Sequence, residues 1–92
     1  MKIWEKNLPV GKTDNYSITV NPDWLGDEAI TNATVMSDQS GTLITLGSVT
    51  ILGGSISVPI TGLATGYSKV EFDFNTPTRS DCFEATLYTK EC

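Results

Sequence analysis

Ninety-two residues make one domain, and a content of 39% hydrophobic against 18% charged residues excludes a disordered chain, which needs high charge and few β-branched or aromatic side chains. The net charge of −5 comes with six dispersed cations, Lys2, Lys6, Lys12, Lys69, Arg79 and Lys90, so a nucleic-acid reader, which needs clustered cations to release counterions, is excluded. Histidine is absent, which removes the commonest general base and metal ligand, and no apolar run approaches the ~18 residues of a membrane helix.

The chain opens Met1-Lys2-Ile3-Trp4-Glu5-Lys6, charged from the second residue and without the apolar stretch of a signal peptide. Residues 1–12 read as an N-terminal arm or first edge strand, and residues 13–92 as the domain proper. Trp4 is balanced between a partner anchor and a cover for one end of the core. Alternation then marks the strands. Tyr16, Ile18 and Val20 share one face, and Asn21-Pro22-Asp23 ends that strand. Ile30, Ala33 and Val35 lie in a second extended segment before the polar loop Ser37-Asp38-Gln39-Ser40-Gly41. Leu43-Ile44-Thr45-Leu46 is a short third strand.

Val49 and Ile51, then Ile56, Val58 and Ile60, flank Gly53-Gly54, a pair suited to a two-residue hairpin. Pro59 lacks an N–H, so its strand is expected at a sheet edge or at a bulge. Gly62-Leu63-Ala64-Thr65-Gly66 reads as another hairpin turn. Val70, Phe72 and Phe74 alternate with Lys69, Glu71 and Asp73, and Phe83, Ala85 and Leu87 alternate with Glu84 and Thr86. Thr, Val and Ile make up 26 of the 92 residues, a usage that favours strands. About seven strands in this length predict an all-β, antiparallel β-sandwich, with a small barrel as the rival.

No catalytic, cofactor-binding or metal-binding residue is assigned. Asp23, Asp27 and Glu28 are the densest acids, but Trp24 and Leu25 interrupt them where a calcium loop needs alternating oxygens; they read as solvated acids around a Trp-Leu plug. Glu71, Asp73 and Glu84 sit on an open sheet face, not in the cleft that paired-carboxylate chemistry requires. The two glycine pairs lack the Lys-Ser/Thr of a phosphate loop. Cys82 and Cys92 are expected as free thiols in a chain without a secretion signal.

Tyr16-Ser17-Ile18, then Asp23-Trp24-Leu25, then Ile30 resembles the opening of small immunoglobulin-like domains in tailed-bacteriophage structural proteins. Gly62 to Tyr67, the strand to Phe74, and Thr76-Pro77-Thr78-Arg79 stand where that family carries its later turn and its approach to the last strand. The adjacency of Gly66 and Tyr67, and Pro77 with Cys82, depart from the pattern. The resemblance spans roughly residues 14–90 and implies an immunoglobulin-like sandwich without catalysis. It implies a virion location and a multi-copy, symmetric role decorating the capsid or joining head, neck and tail to fibres. The implied partners are portal or adaptor, tail, fibre or capsid proteins, with no nucleic acid and no membrane. A carbohydrate- or host-surface-binding module, with Trp24, Tyr67 or Tyr88 exposed, is the alternative.

Overall fold

The computed structural model describes residues 2–92, which fold into two packed β-sheets. The elements are β1 (Lys2–Ile3), β2 (Leu8–Pro9), β3 (Thr13–Thr19), α1 (Pro22–Leu25), β4 (Asn32–Ser37), β5 (Ile44–Leu46), β6 (Thr50–Leu52), β7 (Ser55–Gly62), β8 (Gly66–Asn75) and β9 (Ser80–Lys90). One sheet runs β1-β9-β8-β4, with β2 also on β9; the other runs β3-β7-β5, with β6 also on β7. Since β1 with β2, and β5 with β6, are interrupted halves of single edges, the nine segments occupy seven strand positions. With β3, β4, β7, β8 and β9 taken as strands B, C, E, F and G, the orders B-E-D and G-F-C are those of an immunoglobulin sandwich. The chain is an all-β, immunoglobulin-like β-sandwich.

The period-2 pattern accounts for the layers. On β8, Ser68, Val70, Phe72 and Phe74 point inward and are buried, while Tyr67, Lys69, Glu71 and Asp73 face out. Ile56, Val58 and Ile60 of β7 meet them from the other sheet, each fully buried. Ser55 to Thr61 of β7 pairs with Thr19 to Thr13 of β3, so one register places Tyr16 and Ile18 in the same apolar layer.

Two sequence expectations are corrected, the first in part. For Pro59 the edge alternative fails, because β7 is the centre of its sheet, while the bulge alternative holds: between Leu46 opposite Ile60 and Thr50 opposite Ser57, residues 47–49 stand against 58 and 59, one extra residue on the neighbouring strand. The Pro59 carbonyl accepts from Gly47 N–H at 2.8 Å, so its ring nitrogen faces the interval between β5 and β6, where no ladder bond is required. Gly47 must remain small there, since a Cβ would lie 2.5 Å from the proline ring. Gly62 to Gly66 is likewise no hairpin: β7 and β8 belong to different sheets, so this segment crosses the sandwich. Gly53-Gly54 does form the expected tight hairpin, with Leu52 opposite Ser55.

The first strand position departs from the constant-type plan, in which strand A lines strand B. Lys2–Ile3 and Leu8–Pro9 instead run parallel to β9, opposite Ala85–Thr86 and Thr89–Lys90. Trp4 is buried and Leu8 completely so. The Trp4 indole N–H donates to the Ser17 carbonyl at 3.2 Å, and Lys6 Nζ donates to the Asn15 carbonyl at 2.9 Å. Side chains of the N-terminal segment thereby close much of the free edge of β3, where pairing with other chains would start. Trp4 is therefore a core residue and not an external anchor.

Candidate interaction face

The outer face of the β4-β8-β9 sheet gathers the exposed groups that alternation turned away from the core. Antiparallel register places Glu71 opposite Glu84, Asp73 opposite Cys82, Lys69 opposite Thr86, and Tyr67 opposite Tyr88. Met36 and Thr34 of β4 lie opposite Glu71 and Asp73. At the other side, Ile3 stands beside Thr86. Ile3, Met36 and Tyr67 are each at least half exposed, at 67%, 50% and 66%. Tyr67 and Tyr88 lean on one another with ring centroids 4.7 Å apart. The face thus has an acidic centre with apolar groups at its margins.

Like charges directly opposite one another destabilise a sheet pair, and Glu71 faces Glu84, with Lys69 bordering the same hollow. A hydrogen bond shared with Asp73, then the charges of Asp73 and Glu84, hold the Glu71 carboxyl above its ordinary value. Partial desolvation, followed by the charges of Glu71, Asp73, Asp81 and Glu84, pushes the Cys82 thiol up. Cys82 and Cys92 are exposed and unbonded, and a raised thiol pKa makes Cys82 a weak nucleophile at neutral pH.

The acids around Trp24 do not converge. Glu28 is drawn to the β8–β9 connection, where Thr76 Oγ1 donates to it at 2.6 Å and Thr78 Oγ1 reaches both of its oxygens at 2.8 Å. These bonds, with weaker help from Arg79, hold the Glu28 carboxyl below the usual carboxylate range. Among the described residues, no group of three or more His, Cys, Asp or Glu is placed to hold a metal ion. The Asp-Trp-Leu segment is itself α1, a single helical turn that begins at Pro22 with Asn21 Oδ1 accepting from Asp23 N–H at 2.9 Å. Leu25 is buried and Trp24 half-buried, the latter edge-on to Phe74 at 5.6 Å. Arg79 lies over the Trp24 ring, 5.7 Å from its centroid, and donates to the Trp24 carbonyl. The expected plug is therefore partly solvent-facing: Leu25 is buried, while the Trp24 ring lies between Phe74 and the exposed Arg79.

No protein-family model matches the chain, and no curated protein matches it. Among solved structures, a crystal structure of domains 4 and 5 of the S-layer protein SbsC is similar, with a TM-score of 0.61 at 17% identity. The match covers 96% of this chain and 40% of that one. That likeness is one of fold alone.

The sequence placed Glu71, Asp73 and Glu84 on one open sheet face, as found, but did not pair Tyr67 with Tyr88. Alternation assigns each to an outer side, whereas the pairing of β8 with β9 decides which of them touch. Ile3 and Met36 were missed: neither lies in a strand whose orientation the local pattern alone defines.

Proposed function

We propose that the chain is a structural component of a bacteriophage virion, present in many copies, that decorates the capsid or joins head, neck and tail to fibres through protein–protein contacts. The observation that carries the contact role is the outer β4-β8-β9 face, where Ile3, Met36 and Tyr67 stand exposed around Glu71 and Glu84. Apolar groups beside charge on a rigid sheet suit docking, since desolvated aromatic and aliphatic anchors supply affinity and the charge selects the partner. The phage setting rests on the resemblance of Tyr16-Ser17-Ile18 and Asp23-Trp24-Leu25. Repetition around a symmetric particle would multiply modest contacts into stable attachment. Mass spectrometry of purified particles tests the proposal: the chain should be present in stoichiometric multiples, and its absence overturns the virion reading.

A second reading, a glycan-binding module, draws on the Tyr67–Tyr88 pair, whose rings offer a surface on which a sugar can stack. Binding on a glycan array that disappears in Tyr67→Ala would favour it over the structural role.

A further inference from the structure

At the end of β9 remote from the tyrosine pair, the sandwich is open. β1 begins opposite Ala85, so Ser80–Phe83 has β8 on one side and, among the described residues, no strand on the other. Trp4 N–H donates to Thr86 O at 3.0 Å and Val10 N–H to Lys90 O at 2.9 Å; even-numbered residues of β9 therefore turn their backbone groups to this edge. By strand alternation Cys82 does so too. Its N–H is taken up by the carboxylate of its own neighbour, Asp81 Oδ1, at 2.8 Å.

Behind this edge lies a cleft of about 340 Å³ whose apolar walls include Ile18, Val20, Trp24, Phe74 and Phe83. Phe83 points to the core side of β9 yet is 37% exposed, whereas Ala85 and Leu87 on the same side are at 0%. The difference shows that the apolar layer is unfinished here. A constant-type sandwich runs its first strand along strand B; here that strand lies on β9 instead.

We propose that the β9 edge and its cleft receive an extended segment of a partner polypeptide, added as a strand beside Ser80–Phe83, apolar at alternate positions and carrying Lys or Arg between them. Each requirement has its own cause. The outward backbone groups of Ser80 and Cys82 can pair with another strand, which takes the Cys82 N–H over from Asp81. Inward-pointing alternate side chains fill the cleft between Phe83 and Ile18. The cations answer Asp81 at the mouth and Asp73 and Glu84 along the outer face, where the nearby Arg79 is already engaged by Glu28 and the Trp24 carbonyl. A second copy fits less well, because it brings the same net charge of −5. The inference does not depend on the virion setting.

The two thiols supply the test. Cys82 lies at the site, and Cys92, more than about 25 Å along the strand, serves as an internal control. The probe is the synthetic peptide Lys-Val-Thr-Ile-Lys-Val-Thr-Ile-Lys, with a counterpart carrying Glu for every Lys. The basic peptide should slow iodoacetamide alkylation of Cys82 severalfold and leave Cys92 unchanged, while the acidic one does neither. Cys82→Pro deletes an N–H that β8 does not use, so it should abolish binding of the fluorescein-labelled basic peptide, read by anisotropy, with the fold retained. Asp81→Lys, an exposed change, should reverse the preference between the two peptides and decides the matter if Cys82→Pro fails to fold. Unchanged alkylation of Cys82, or equal shielding by both peptides, overturns the proposal. Shielding that grows with protein concentration and without peptide also overturns it, since the occupant is then a second copy.

Discussion

Replacing Trp4 by alanine tests whether the first residues belong to the folded unit. The ring is 8% exposed, lies 4.9 Å from Tyr16 and edge-on to Phe72 at 5.9 Å, and donates to the Ser17 carbonyl. Truncating a buried Trp costs about 3–5 kcal/mol through lost transfer energy and the cavity left behind. The lost hydrogen bond adds roughly 1 kcal/mol. Because Trp4 closes an edge, water and neighbouring side chains can fill part of the space, so a total near 4 kcal/mol is expected. Against the roughly 5–15 kcal/mol that holds a domain together, that is a large share. It corresponds to a fall in Tm of about 15–30 °C for a chain of this size.

Urea denaturation followed by far-ultraviolet circular dichroism measures the loss, and an unchanged m-value would show that the same surface still unfolds. Trp4→Phe keeps most of the ring contact and should cost only about 1–2 kcal/mol. A loss below about 1 kcal/mol for Trp4→Ala would refute the reasoning, for then residues 2–12 would be a detachable arm and β3 would keep its edge without them.

Gly62→Ala should cost about 1–3 kcal/mol, because the new Cβ would lie 2.9 Å from both the Pro9 carbonyl and Thr89 Cγ2, where the N-terminal segment passes from one sheet to the other; thermal denaturation reads it. Glu71→Gln should raise Tm slightly at pH 7 by removing the charge opposed by Asp73 and Glu84. Since the folded-state carboxyl titrates above its ordinary value, this gain should shrink as pH falls toward about 4, where wild-type Glu71 is itself protonated. Glu28 behaves oppositely. Its lowered folded value means that its stabilisation is present above the ordinary carboxylate range and is lost as pH falls through the lowered value. Urea midpoints measured from pH 6 downward should therefore drop less steeply in Glu28→Gln, and an unchanged slope would show that Thr76 and Thr78 contribute nothing to holding that loop.

Much of the architecture was written locally. Val70-Glu71-Phe72-Asp73-Phe74 can bury one face only as a strand, and Gly53-Gly54 can join its neighbours only by turning. Pro59 marked the irregularity in the ladder but not that its own strand is central. The missing donor weakens a ladder only where a partner waits for it, and β5 and β6 leave an interval at that point. Trp4 was undecided because Lys2-Ile3-Trp4-Glu5-Lys6 has no period of its own; its burial comes from Tyr16 and Phe72, remote in sequence. The Asp-Trp-Leu segment read as a turn and proved to be a single turn of helix, short enough that capping by Asn21 decides it.

By itself, then, the sequence determined that this chain forms strands, which side of most of them is apolar, and that its surface is acidic, because those follow from neighbours two residues apart and from composition. Tertiary structure alone decided that Glu71 confronts Glu84, that the first strand lies on β9 and not on β3, and that an apolar cleft stays open beside Phe83. Those depend on which strands pair and where each one stops, and pairing is settled by the fit of whole sheets across the core.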